Sequence, residues 1–108
     1  MGIVDKYIDY VRDIRRYSVH TVDLYSDVLK DYIRVVHSGN EISDDEMISS
    51  MNRSEIRGYV VRRLEDGLSS RTVNLHLSAL SGFCRYLVKE GYLSSNPVKL
   101  VTKPKVEK

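Results

Sequence analysis

Apolar residues recur at helical spacing through most of the chain, and no stretch alternates as a strand would. The cleanest pattern lies at residues 69–91. Stepping about 100° per residue puts Val73, Leu77, Leu80, Cys84 and Leu87 on one apolar line, widened by Phe83. Away from that line, Asn74, Ser78, Ser81 and Arg85 fall within about 60° of one another. Arg71 and Lys89 flank this arc, and no acid interrupts it. A solvated helix face ordinarily mixes Glu with Lys for i,i+4 support. Small polar groups bordered by cations instead let a helix come close to a phosphate backbone. A plain polar surface is the other reading of the same arc.

Three more helices precede it. Residues 3–14 carry Ile3, Tyr7, Val11 and Ile14 at helical spacing, with Val4, Ile8 and Tyr10 beside them. Ser18 suits the N-cap of a second helix, whose stripe is Thr21, Tyr25, Val28, Tyr32 and Val36, joined by Leu24 and Leu29. Its outer face holds Asp23, Asp27, Lys30, Asp31 and Arg34, and Gly39-Asn40 ends it. In the longer loop that follows, Asp44, Asp45 and Glu46 are placed to open a short helical turn. A calcium loop would need more ligands at set spacing around a glycine. Residues 52–66 form the third helix, with Ile56, Tyr59, Val60 and Leu64 inward and its arginines outward; Asn52-x-x-Glu55 has the form of a capping box. Gly67 and Gly91 stop the last two helices. Asn96-Pro97 marks a break, and the Lys- and Pro-containing remainder has too few apolar groups to fold alone. The pattern predicts an all-α bundle of four helices, with a fifth left open after Tyr92. The domain covers residues 1–95, and 96–108 form a linker toward an absent C-terminal domain.

A length of 108 residues with 42% hydrophobic content fits one globular domain with one core. No apolar run is long enough to span a bilayer, so no membrane partner is expected. The single cysteine, Cys84, excludes an internal disulfide and a multi-cysteine zinc site, and it fits a reducing cytoplasm. The histidines stand apart without ligand spacing, so neither metal nor cofactor is implied. No nucleophile–base pair or phosphate loop is legible, which argues against a free-standing enzyme. Charge is uneven. Residues 1–67 hold 10 Lys/Arg against 13 Asp/Glu, whereas residues 68–108 hold 7 against 2. A basic C-terminal part points to an anionic partner, nucleic acid before membrane.

The order of elements resembles a known family. YSVHTVDLYSDVLKDYIRVV is similar to the S-x-x-T-x-x-x-Y-x-x-x-L opening of the second helix in tyrosine recombinases of the Xer and phage-integrase type, here Ser18, Thr21, Tyr25 and Leu29. DGLSSRTVNLHLSALSGFCRYLVKEGYLSSNP resembles that family's G-x-S-x-x-T-x-N-x-x-L-S-A-L-x-x-F-x-x-Y-L stretch with its following Gly and Asn-Pro. The resemblance spans nearly the whole chain. It implies a SAM-like core-binding domain that forms half of a C-shaped clamp on double-stranded recombination-site DNA, with its second and fourth helices nearing the major groove. It also implies other recombinase protomers as partners in a tetrameric synapse. The catalytic half, with its tyrosine nucleophile, would lie beyond Lys108, so no catalytic residue is assigned among the eight tyrosines. Asp23, Ser26 and Asp27 depart from the Asn and Arg frequent on the second helix, which predicts weak binding by the domain alone.

The candidate DNA contacts are Arg71, Asn74, Ser78 and Arg85 on the last helix, for phosphates or base edges. Ser18, His20 and Thr21 would position phosphates at the start of the second helix, and Ser70 and Thr72 at the start of the last. The alternative is a helical protein-interaction module without DNA contact, using outward apolar residues of the first helix such as Ile8 or Tyr10.

Overall fold

Four of the five helix starts are set by a side chain that accepts from the first turn. In the computed structural model, which describes residues 2–105, Ser18 opens α2 (Val19–Val36) by accepting from the Thr21 amide at 3.2 Å. Ser43 opens α3 (Asp44–Ser49) with a full capping box to Glu46. Asn52 opens α4 (Arg53–Glu65) by accepting from the Glu55 amide at 2.9 Å. Ser69 opens α5 (Ser70–Lys89) by accepting from the Thr72 amide at 3.2 Å. The start of α1 (Ile3–Asp9) is satisfied from outside: the Ile3 amide donates to Asp44 Oδ1 at 2.9 Å. Asp44 and Glu46 are therefore occupied in fixing two helix starts. Gly67 and Gly91 follow α4 and α5 at φ of 96° and 85°. Only a residue without a Cβ adopts that region cheaply, and it lets the Leu68 and Tyr92 amides turn back to Arg63 and Leu87.

The result is the expected all-α bundle, with no strand among the described residues. The additional helix is α3, ahead of α4. After Tyr92 the described residues form only a 3-10 turn, Pro97–Leu100.

The core forms around α5. Val73, Leu77, Leu80, Phe83, Cys84 and Leu87 are fully buried, as the apolar line requires. Ala79, Gly82 and Tyr86 are buried as well. The missing side chain at Gly82 admits α1 on a second side, where the Tyr7 ring packs edge-on to Phe83 with centroids 5.2 Å apart. Only a strip of α5 stays open.

Three expectations change, besides that of Leu64 on α4, which is 37% exposed rather than inward. First, Ile14 is 71% exposed rather than in line with Val11. A π turn over Tyr10–Ile14, closed by the Arg15 amide on the Tyr10 carbonyl at 3.0 Å, widens the helix and rotates Ile14 off the apolar face. Ile8 and Tyr10, by contrast, are partly buried against the core. Second, Asp31 is not part of a solvated face. Its side chain is 18% exposed and accepts from Tyr59 Oη at 2.7 Å and from Arg34 at 2.6 Å. Third, the segment read as a linker from Asn96 packs on the bundle through at least Val101. Pro97, Val98 and Val101 are buried. Asn96 fastens them by donating to Ser81 Oγ at 2.8 Å and accepting from the Val98 amide at 3.0 Å. Two valines three residues apart on a tight turn suffice to bury this short segment, although they would not form a core alone. The last linker residues, 106–108, lie outside the described residues.

Candidate functional site

On α5, residues 71, 74, 78, 81 and 85 follow one another at three or four positions, which sets them in one row along the helix. Arg71, Ser78 and Arg85 are exposed, while Asn74 and Ser81 are half-buried. Neither arginine has an ion-pair partner among the described residues. Three side chains of this row are already engaged within the protein. Asn74 Nδ2 donates to the Pro104 carbonyl at 2.8 Å, leaving Asn74 Oδ1 buried without a partner. Ser81 holds Asn96. The Ser78 hydroxyl donates back to the Asn74 carbonyl at 3.2 Å.

Beside this row runs an open groove of about 430 Å³ between α5, the α2 ring of Tyr25 and the tail. Ser78, Ser81 and Arg85 line one side, Lys99 and Lys103 the other. It contains three cations, two small hydroxyls and no carboxylate. The sequence pattern had found the α5 side only. Lys99 and Lys103 were read as linker charges, and Tyr25 as core. The basic balance of residues 68–108 was their only signal.

The start of α2 lies along the same helix as this groove, because Thr21 precedes Tyr25 by one turn. Ser18 and His20 are exposed there, and Thr21 is half-buried. Ser18 Oγ and Thr21 Oγ1 are 3.0 Å apart and so partly satisfied by each other. Ser69 and Thr72 repeat this arrangement at the start of α5, also at 3.0 Å. Thr72 lies about 160° round the helix from Asn74 at 100° per residue, so it serves the cap and does not join the row. Ser70 is half-buried, on the near side of the row. The first turns of α2 and α5 contain no acid, whereas α1, α3 and α4 each place at least one there. An acid in the first turn complements the positive helix end. Its absence leaves the free amides of these two helices available to an external anion.

Burial pushes the Cys84 thiol up to about 12, so it stays protonated in the core. Among the described residues no three His, Cys, Asp or Glu side chains are placed to hold a metal ion, and no helix is long and apolar enough to cross a membrane.

A model of the phage integrase N-terminal SAM-like domain matches residues 4–91. The chain belongs to that family. Tyrosine recombinase XerC of Azotobacter vinelandii is 34% identical over 106 residues, covering 97% of this chain and 34% of that protein. Tyrosine recombinase XerC of Bacillus pumilus is 26% identical over 106 residues, covering 98% of this chain and 33% of that protein. This SAM-like domain therefore spans about a third of the length of the curated relatives it matches. No solved structure matches the chain.

Proposed function

We propose that this SAM-like domain is the DNA-holding part of a tyrosine site-specific recombinase, gripping double-stranded recombination-site DNA through α2 and α5. The parent enzyme would supply its catalytic tyrosine from a domain beyond Lys108 and act in a tetramer of protomers. The observation that carries the reading is the acid-free row Arg71–Asn74–Ser78–Arg85, continued across the groove by Lys99 and Lys103. Arg71 and Arg85 pair with phosphates or with guanine edges, and Asn74 and Ser78 lie between them at close approach. Ser18, His20, Thr21 and Ser70 meet the backbone at the two acid-free helix starts, and Thr72 holds its start in shape. Domain–domain contact between protomers is compatible with this, because Ile14 and Val19 stand open at the junction of α1 and α2.

The test is a titration with short duplex DNA at two salt concentrations. Binding is expected to weaken steeply with salt, with Kd no tighter than about 10⁻⁶ M for the domain alone. Replacing Arg71 and Arg85 together by Ala lowers the salt slope by about 2, as two lost phosphate contacts require. The helical circular-dichroism spectrum stays the same. A double variant that bound like the parent would place the DNA elsewhere.

A further inference from the structure

On the other side of Arg85 from the groove, α1, the turn after it and α5 enclose a separate cleft of about 200 Å³. Its lining includes Tyr7, Tyr10 and Tyr17 with Arg15, Arg85 and Lys89, and it contains no carboxylate. We propose that this cleft is a phosphate-binding site, in which Arg15, Arg85 and Lys89 surround the anion and the Tyr7 hydroxyl donates to it from the floor.

Two of the cations are held in place by aromatic rings. The Arg15 guanidinium lies 5.6 Å from the centroid of Tyr17, and Lys89 Nζ lies 5.2 Å from that of Tyr10. Lys89 also stands 3.4 Å from Glu90 at the surface, an exposed contact of little strength. Arg15 and Arg85 have no ion-pair partner among the described residues. Three like charges around one small cleft repel one another unless an anion joins them. Tyr7 gives the second, independent sign. The residue is 1% exposed and lines the cleft, and its hydroxyl makes no hydrogen bond among the described residues although it is not fully enclosed. It rests where α5 lacks a side chain, so close that a Cβ on Gly82 would meet it at 2.7 Å. A hydroxyl that reaches the cleft and has no protein partner is free to donate to a molecule held there. Burial first of all, and then the neighbouring Tyr25, raise its pKa above the ordinary phenol value, so it remains a donor.

The donor set selects the ligand. A phosphate is tetrahedral and presents its oxygens in several directions, so it suits cations and a hydroxyl placed on different walls of a cleft, whereas a carboxylate is planar. Over the rings of Tyr10 and Tyr17 a nucleobase would have to compete with the cations already there. Arg85 borders this cleft and the groove, so one duplex backbone would reach the cleft after passing the groove. That a DNA phosphodiester is the natural occupant rests on the DNA reading above; the phosphate chemistry does not.

The experiment follows the backbone amides of Gly82 and Tyr86 and the Nε–Hε groups of Arg15 and Arg85 by ¹H–¹⁵N NMR, with inorganic phosphate in one arm and a short duplex in the other. Both are expected to shift these signals. Arg15→Gln with Lys89→Gln should weaken duplex binding about tenfold and lower the salt slope by about 1. Tyr7→Phe should melt no lower than the parent, since it removes an unpaired hydroxyl, yet lose the phosphate-induced shifts. A structural role alone would not separate those two readouts. If phosphate shifts the signals but no duplex binds, the site stands and the DNA reading falls. If duplex binds, but neither ligand shifts these signals and the variants bind like the parent, the cleft is not a phosphate site and the DNA reading stands.

Discussion

Gly82 shows how one missing side chain shapes this molecule. Its neighbours on α5 include hydroxyls and cations, so by composition it looks like another surface position. In the structure it is buried, and the Tyr7 hydroxyl occupies the space a methyl group would need. Gly82→Ala should therefore destabilise the domain by about 1–3 kcal/mol despite the better helix propensity of alanine, because overpacking outweighs propensity here. Chemical denaturation of a double-mutant cycle isolates the cause. With Tyr7→Phe in place the hydroxyl is gone, and the penalty for Gly82→Ala should shrink by at least half. An unchanged penalty would point to strain elsewhere on α5.

At the scale of elements, α2, α4 and α5 meet at a polar cluster. Tyr59 Oη donates to Asp31 Oδ2 at 2.7 Å and lies 3.0 Å from His76 Nδ1. With its proton given to Asp31, Tyr59 accepts from a protonated His76 Nδ1. Arg63 Nε stands 3.3 Å from the same carboxylate, close enough for an ion pair but not aligned for a hydrogen bond. Burial tends to raise the Asp31 pKa, but the bonds from Tyr59 and Arg34 and the charge of Arg63 bring it below the ordinary 3.8. Burial lowers the pKa of His76 below 6.5; Asp31 partly offsets this, and Arg63 adds to it. The two shifts act in the same direction. The unfolded chain protonates His76 at about pH 6.5 before the folded domain does, so stability falls as pH drops through that value. The Asp31 contribution is lost only below about pH 3.8. The urea midpoint should thus decrease between about pH 7.5 and 5.5 in the parent, and His76→Gln should flatten that decrease.

The same cluster marks where the sequence was legible and where it was not. Period 3.6 located α1, α2, α4 and α5, and the caps at Ser18 and Asn52 hold in the structure. It assigned Asp31 and Arg63 to solvent, because charge pattern does not reveal which outward residues of two helices meet. It placed Ile14 inward, because a π turn breaks the period without a marker such as Pro or Gly. On the candidate site it found the α5 row and missed the tail. Periodicity needs a long window, and Val98 sits on a turn of four residues that Val101 caps.

At the scale of the whole molecule, charge is arranged by packing as well as by composition. Two of the three cations in the groove beside α5 belong to the tail, and the tail hangs on the two hydrogen bonds of Asn96 together with the burial of Val98 and Val101. A charge-neutral substitution should therefore have an electrostatic phenotype. Asn96→Ala changes no ionisable group, yet by unfastening Lys99 and Lys103 it should flatten the salt dependence of duplex binding by about 1–2 in slope. The same substitution returns the Asn74 amide to solvent, since the Pro104 carbonyl that holds it hangs from the same fastening. Long-range attraction would weaken while a contact suited to reading bases becomes free, so affinity and selectivity for sequence would move in opposite directions.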